Sequence, residues 1–361
     1  LTDKLLRITG GLPQKIRMLV EVLPEDIDFL VRARLVELNA GSLAVLQLAQ
    51  LFGRPIAPGA LAVLAKVPRS DIEELVMQGF LALDNSGAAA RLTVAESYQP
   101  HPMLVVADKK TRQKMHGACA AHLQTLQSMD LDESLHEPIT MHLLGADRVD
   151  QAASHALQAG RWLAKNAALH RSESILTHIL DASPSQTQEL RLALVDTHVA
   201  LGQFDRAIEL CRGLSSEEEQ GIQLRLARIH SLGGDLEAAQ KALEILWNQP
   251  SMSQAQRELV GVELADVLLR RGDLDKATEL CLDALPNSSS DYALAFNHVL
   301  GKVAFWRGQW DEAHARYEQV LSDLTQSNAM VDRGDVLHNI GLVSLRQGRY
   351  SKACEQIQNG L

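Results

Sequence analysis

The chain is poor in cysteine, in basic runs and in long apolar stretches, and each shortage removes a class of function. Its four cysteines, Cys119, Cys211, Cys281 and Cys354, are widely spaced and form no Cys-x-x-Cys pair. Such spacing offers neither a disulfide framework nor a zinc site, and it suits a reducing cytoplasm. Lys and Arg are spread along the sequence, within a net charge of −10. A general nucleic-acid or membrane-surface role is disfavoured on that ground. The longest apolar stretches, such as Leu43 to Leu51, carry polar interruptions and fall far short of the roughly 20 residues that cross a bilayer. The chain opens Leu1-Thr2-Asp3, with no initiator methionine and no charged-then-apolar leader, and closes at Leu361 inside a helical pattern. It reads as a piece of a longer cytoplasmic protein.

Catalytic signatures are missing as well. No Gly-x-x-x-x-Gly-Lys-Ser/Thr phosphate loop occurs, and the nearest fragment, Gly301-Lys302, falls inside a helical repeat. No Ser/His/Asp or Cys/His nucleophile arrangement is legible, and the histidines, His116, His122, His136 and His142 among them, show no metal-ligand spacing. Cys211 and Cys281 fall on core positions, where a thiol behaves as a small hydrophobe. The expectation is a chain without catalytic residues or a metal of its own.

What the sequence has in abundance is repetition. A chain of 361 residues that is 46% hydrophobic exceeds one compact domain. From about residue 187, five segments place an alanine five residues after a glycine: Gly202 and Ala207, Gly234 and Ala239, Gly272 and Ala277, Gly308 and Ala313, Gly348 and Ala353. Eight residues before the glycines stand Leu194, Leu226, Leu264, Leu300 and Ile340, and one further on stand Val195, Ala227, Ala265, Gly301 and Gly341. Four residues after the alanines come Cys211, Leu243, Cys281, Tyr317 and Ile357. The pattern predicts a helix ended by a left-handed glycine, a short turn, and a second helix that an alanine lets approach closely. Upstream, Asp147 to Ala152 and Ala167 to Ser172 occupy equivalent places with the glycine replaced. These segments resemble tetratricopeptide repeats. The expected organisation is a helical segment over 1–40, a winged-helix domain over 41–125, helical lead-in repeats over 126–185 and tetratricopeptide repeats over 186–361.

The winged helix is read from three helices, Leu43 to Phe52, Pro58 to Ala65 and Ser70 to Gly79, followed by a hairpin of Phe80 to Leu83 and Arg91 to Val94. Ser70 is the expected N-cap of the third helix, with Glu73 completing a capping box. That helix holds Asp71, Glu73 and Glu74 with no Lys or Arg after Ser70, so contact with a DNA backbone is not expected.

The order of parts, with Gly11-Leu-Pro13, the winged helix, His101-Pro102 and then the repeats, resembles the region after the nucleotide-binding core in signal-transducing ATPases with numerous domains. That group includes the maltose-regulon activator and related AAA-type regulators. The resemblance implies a regulatory portion of mostly α fold, with ATP or ADP held by a core outside this sequence. It implies adenine packing for Pro13 and a diphosphate contact for His101. It also implies a shift from a closed, diphosphate-held state to an open homo-oligomer. Departures are Gln14-Lys15 in place of apolar residues and the absence of an aspartate after His101. Read from the residues alone, Pro13 starts a helix, and His101 caps a Met103 to Lys109 helix or joins the core.

Repeat geometry puts the partner surface on the first helices, at positions two, three, six and ten residues before each glycine. The first three repeats place Leu192, Asp196, Leu224, Arg228, Val262, Asp266 and Arg270 there, and the last two His298, Lys302, Phe305, Trp306, His338 and Arg346. Cations mixed with aromatic rings suit a groove for a protein segment or small ligand. Phe305 and Trp306 equally fit packing between repeats. The Lys and Asn clamp of chaperone-tail adaptors is missing from these positions.

Overall fold

The computed structural model describes residues 27–84, 90–99, 102–106, 108–182, 187–214, 219–324 and 331–360. Pro13, His101 and the hairpin turn after Asp84 lie outside them. Among the described residues the fold is mostly α-helical, with one two-stranded hairpin, and the chain divides into two compact units between Leu190 and Arg191.

The first unit begins with α1 (Ile27–Val36), α2 (Ala40–Phe52), α3 (Pro58–Ala65) and α4 (Arg69–Met77). Asn39 caps α2 by accepting from the Ser42 amide at 2.8 Å, and Gly53 ends it at φ 69°. Pro58 opens α3 at its first turn, where the missing N–H costs nothing. The third helix departs from expectation. Its N-cap is Pro68, two residues before Ser70, and the fixed φ of Pro68 sets the extended entry, so Ser70 lies inside the helix and its hydroxyl turns to Asp71 while Glu73 pairs with Arg69. The capping box does not form. Strands β1 (Leu81–Asp84) and β2 (Arg91–Val94) pair antiparallel with Leu81 opposite Val94, and Ile56 bridges Leu92 on the other side. Leu46, Leu61, Ile72, Leu75, Phe80 and Leu92 form the core beneath.

No helix spans Met103 to Lys109. Pro102–Leu104 is a single 3-10 turn, and Asp108 caps the long α5 (Lys109–Asp130) through the Thr111 amide at 2.7 Å. Helix α5 runs through residue 125 without a break and is followed by α6 (His136–Gly145), α7 (Val149–Lys165) and α8 (Leu169–Ala182). The turns between these last three place Asp147 at φ 61° and Ala167 at φ 59°. Both are positions where the sequence has the repeat register without its glycine.

The second unit carries hairpins of a first and a second helix. Helix α9 (Thr187–Ala200) runs into it and pairs in register with α10 (Phe204–Arg212); then come α11 (Glu219–Leu232) with α12 (Leu236–Trp247), α13 (Gln254–Arg271) with α14 (Leu274–Ala284), α15 (Ser290–Trp306) with α16 (Trp310–Asp323), and α17 (Arg333–Arg346) with α18 (Tyr350–Asn359). All five turn glycines are left-handed, at φ 71° to 87°. The alanines after them are buried. This is the helix-pair packing of tetratricopeptide repeats.

Packing inside each hairpin follows one steric rule. A Cβ added to Gly301 would stand 2.5 Å from Tyr317, one at Gly341 2.6 Å from Ile357, and one at Gly160 2.8 Å from Leu176. In each case the small residue lies seven before the turn residue and the large one nine after it. The same two positions hold Val195 with Cys211, Ala227 with Leu243 and Ala265 with Cys281, all buried in their own clusters. Volume lost on one helix is regained on the other, as close packing requires.

Candidate functional site

The expected groove positions on the first helices fare unequally. Across α9 and α11, Arg225 pairs with Asp196; across α11 and α13, Arg228 Nε donates to Glu263 at 2.8 Å; across α13 and α15, Lys302 Nζ donates to Asp266 at 3.2 Å. Arg270 donates to the hydroxyl and carbonyl of Ser231 at 2.6 and 2.9 Å, satisfying an acceptor in the last turn of α11. Arg228, Asp266, Arg270 and Lys302 therefore tie neighbouring repeats together. Being part-exposed, each ion pair contributes at most about 1 kcal/mol.

His298 does not face an open groove. It is only 7% exposed, accepts at Nε2 from the Asn339 amide of α17 at 2.8 Å, and stands edge-on to Tyr317. Ten residues before the turn, this side chain meets the next first helix and is enclosed. Burial, reinforced by the Lys302 cation and opposed by Asp266, pushes its pKa down to about 4, so it is neutral.

The last gap, between α15 and α17, has no ion pair across it among the described residues. Phe305 is half-buried against the cluster around Tyr317, and the Arg346 guanidinium lies 6.0 Å from its ring centroid. Trp306, edge-on to Phe305 at 6.1 Å, is 68% exposed. Sequence left both rings between groove and core; the structure splits them. His338 and Arg346 are exposed, and among the described residues neither has an acidic partner. Of the expected groove positions, Trp306, Arg346 and His338 are thus the exposed ones in this gap, with Phe305 half-buried beneath Arg346.

The buried thiols conform to expectation, with burial raising Cys211 and pushing Cys281 up to about 12. Sequence reasoning missed the histidines of the first unit. His116 on α5 meets His142 on α6 through their Nδ1 atoms at 2.9 Å, and His136 on α6 meets His155 on α7 likewise at 2.9 Å. Gln127 donates to His136 Nε2 at 2.7 Å. Each contact needs one ring as donor and the other as acceptor, which neutral rings supply. Burial lowers all four, His142 to about 4. Partners 26 and 19 residues apart on different helices leave no spacing signal to read. Among the described residues no group of three or more His, Cys, Asp or Glu could hold a metal ion. No helix described is long and apolar enough to cross a membrane. Pro13 and His101, the expected nucleotide contacts, lie outside the described residues.

Comparison with known proteins agrees with the repeat geometry. A family model for a tetratricopeptide repeat-like domain matches residues 215–341. No curated protein matches the chain. One similar solved structure is a signal transduction ATPase with numerous domains, carrying a tetratricopeptide repeat sensor, from Pyrococcus horikoshii; identity is 14%, the TM-score is 0.50, and the match covers 99% of this chain and 56% of that one. Another is a tetratricopeptide repeat protein from Parabacteroides merdae, at 13% identity and a TM-score of 0.51, covering 67% of this chain and 91% of that one. The chain thus spans little more than half the length of the archaeal protein. At these identities the likeness is one of fold: a tetratricopeptide-type helical solenoid, similar in layout to part of a protein that pairs such repeats with an ATPase.

Proposed function

We propose that this chain is a non-enzymatic, protein-binding repeat module whose partner docks on the first-helix face of α15 and α17. The observation that carries this reading is the exposed Trp306 ring beside Phe305, with the Arg346 guanidinium over the Phe305 ring and His338 exposed on the same helix as Arg346. Interface anchors are enriched in Trp and Arg, and here an exposed Trp ring adjoins a second aromatic ring and a guanidinium. The other first-helix gaps satisfy their own charges and offer a partner little. Panning a phage-displayed library of random dodecapeptides against the purified chain tests this. Enriched peptides should bind Trp306→Ala at least about 30-fold more weakly, the equivalent of about 2 kcal/mol. Equal enrichment on both proteins would contradict it.

A finer reading is favoured by the layout shared with the archaeal ATPase. Here the chain is the cytoplasmic regulatory part of a signalling ATPase, the helices and hairpin over 41–125 act as a winged helix, and Pro13 and His101 contact ATP or ADP held by a core outside this sequence. A repeat array that senses a partner would then bias that core between closed and open, self-associating states. Without a phosphate loop the chain should not hydrolyse ATP. Turnover by the purified chain that survives removal of contaminants would contradict this.

A further inference from the structure

In the first unit a cavity of about 220 Å³ lies among the segment after α2, strand β2, α5 and the turn that follows α5. Phe52, Ile56, Leu123 and Leu135 form an apolar wall. Four charged side chains share the lining, Arg54 and Arg91 with Asp130 and Asp132. Two cations and two anions border one small space, yet among the described residues none of the four has an ion-pair partner within 4.0 Å. Asp132 uses one carboxylate oxygen to accept from the Ser134 amide at 2.9 Å and its hydroxyl at 2.6 Å, which leaves the other oxygen available. Between the two aspartates Leu131 takes φ 51°, a conformation unfavourable for leucine, and the chain turns there. His122, also in the lining, has its ring 6.1 Å from that of Phe52, and burial lowers its pKa and favours the neutral ring.

A purely anionic guest would face two aspartates, and a purely cationic one would face two arginines. Arg91, Asp130 and Asp132 are exposed and Arg54 is part-buried, so all four keep access to solvent at the rim, and an uncharged apolar guest makes no use of them. A guest bearing both charges satisfies all four groups. The volume of about 220 Å³ has room for more than one water and for a small metabolite. We propose that this cavity binds a free α-amino acid with an aliphatic side chain. Its carboxylate meets the Arg54 and Arg91 guanidinium groups, its ammonium meets Asp130 and Asp132, and its side chain lies on the wall of Phe52, Ile56, Leu123 and Leu135. Such a ligand bridges the hairpin segment to the α5–α6 turn. It therefore stabilises the folded chain by mass action.

The test is isothermal titration and thermal unfolding of the purified chain with L-leucine, L-isoleucine, L-valine and L-methionine. Two truncated probes accompany them: 4-methylpentanoate, which lacks the ammonium, and 3-methylbutylamine, which lacks the carboxylate. At least one amino acid should bind saturably and raise the melting temperature, with both truncated probes at least tenfold weaker. Arg54→Ala and Asp130→Asn should each weaken it at least tenfold while the unliganded melting temperature stays put. A truncated probe binding as tightly as the amino acid overturns the assignment. So does affinity untouched by both substitutions, or no saturable binding in the millimolar range by any of the four.

Discussion

Trp306 and His298 stand eight residues apart on α15 and meet opposite fates: one ring is in solvent, the other sealed against α17. Sequence placed His298 in the groove and left Trp306 between groove and core, because register alone says which face a residue occupies, and not how far the next repeat reaches over it. The sealed histidines make the fold sensitive to acid. His142 and His298 have folded-state pKa values pushed down to about 4, below the unfolded value of 6.5. The unfolded chain therefore takes up protons first as pH falls. The stability contribution is whole above the unfolded value and is lost from there down through about pH 4. Urea unfolding at pH 7 and pH 5 should show each histidine costing about 2 kcal/mol at the lower pH. Replacing either by Gln should remove that share of the loss, and an unchanged pH dependence would contradict the burial argument.

At the scale of the element, glycine and alanine punctuation made the hairpins legible before any coordinates, down to the left-handed turns. It also located two turns without glycine, at Asp147 and Ala167, because the surrounding register persists. The start of α4 was not legible, since Pro68 and Ser70 both favour a helix entry and the earlier one prevailed. The volume exchange across each hairpin lies in the sequence too, but only coordinates identify which two positions touch. Gly301→Ala should destabilise by about 1–3 kcal/mol, because the new methyl meets the buried Tyr317 ring at 2.5 Å. Adding Tyr317→Leu recreates the Ala227 and Leu243 combination of an earlier repeat. The double variant should be more stable than the sum of the single changes by at least about 1 kcal/mol. Additive losses in denaturant unfolding would show that the two positions do not share one packing site.

At the scale of the molecule, at least two units and a line of hairpins were expected from length and repetition. The cavity of the first unit was not, since Arg54, Arg91 and the Asp130–Asp132 turn are three places that share no motif. Which of the first-helix charges neutralise one another across α9, α11, α13 and α15 was not legible in the sequence, because register places a residue on a face without saying what the next helix sets opposite it. What distinguishes the gap between α15 and α17 is that Arg346 of α17 has no acidic partner among the described residues and that the Trp306 ring of α15 is exposed. The central claim is that Trp306 serves binding and not folding. It is tested most directly on Trp306→Ala, by its melting temperature and by its affinity for a peptide selected on the wild-type chain. The account predicts a melting temperature within about 2 °C of wild type, since an exposed substitution shifts stability by no more than about 0.5 kcal/mol. Affinity should fall at least about 30-fold. A loss of about 3 kcal/mol or more in stability, the cost of emptying a core site, would contradict it.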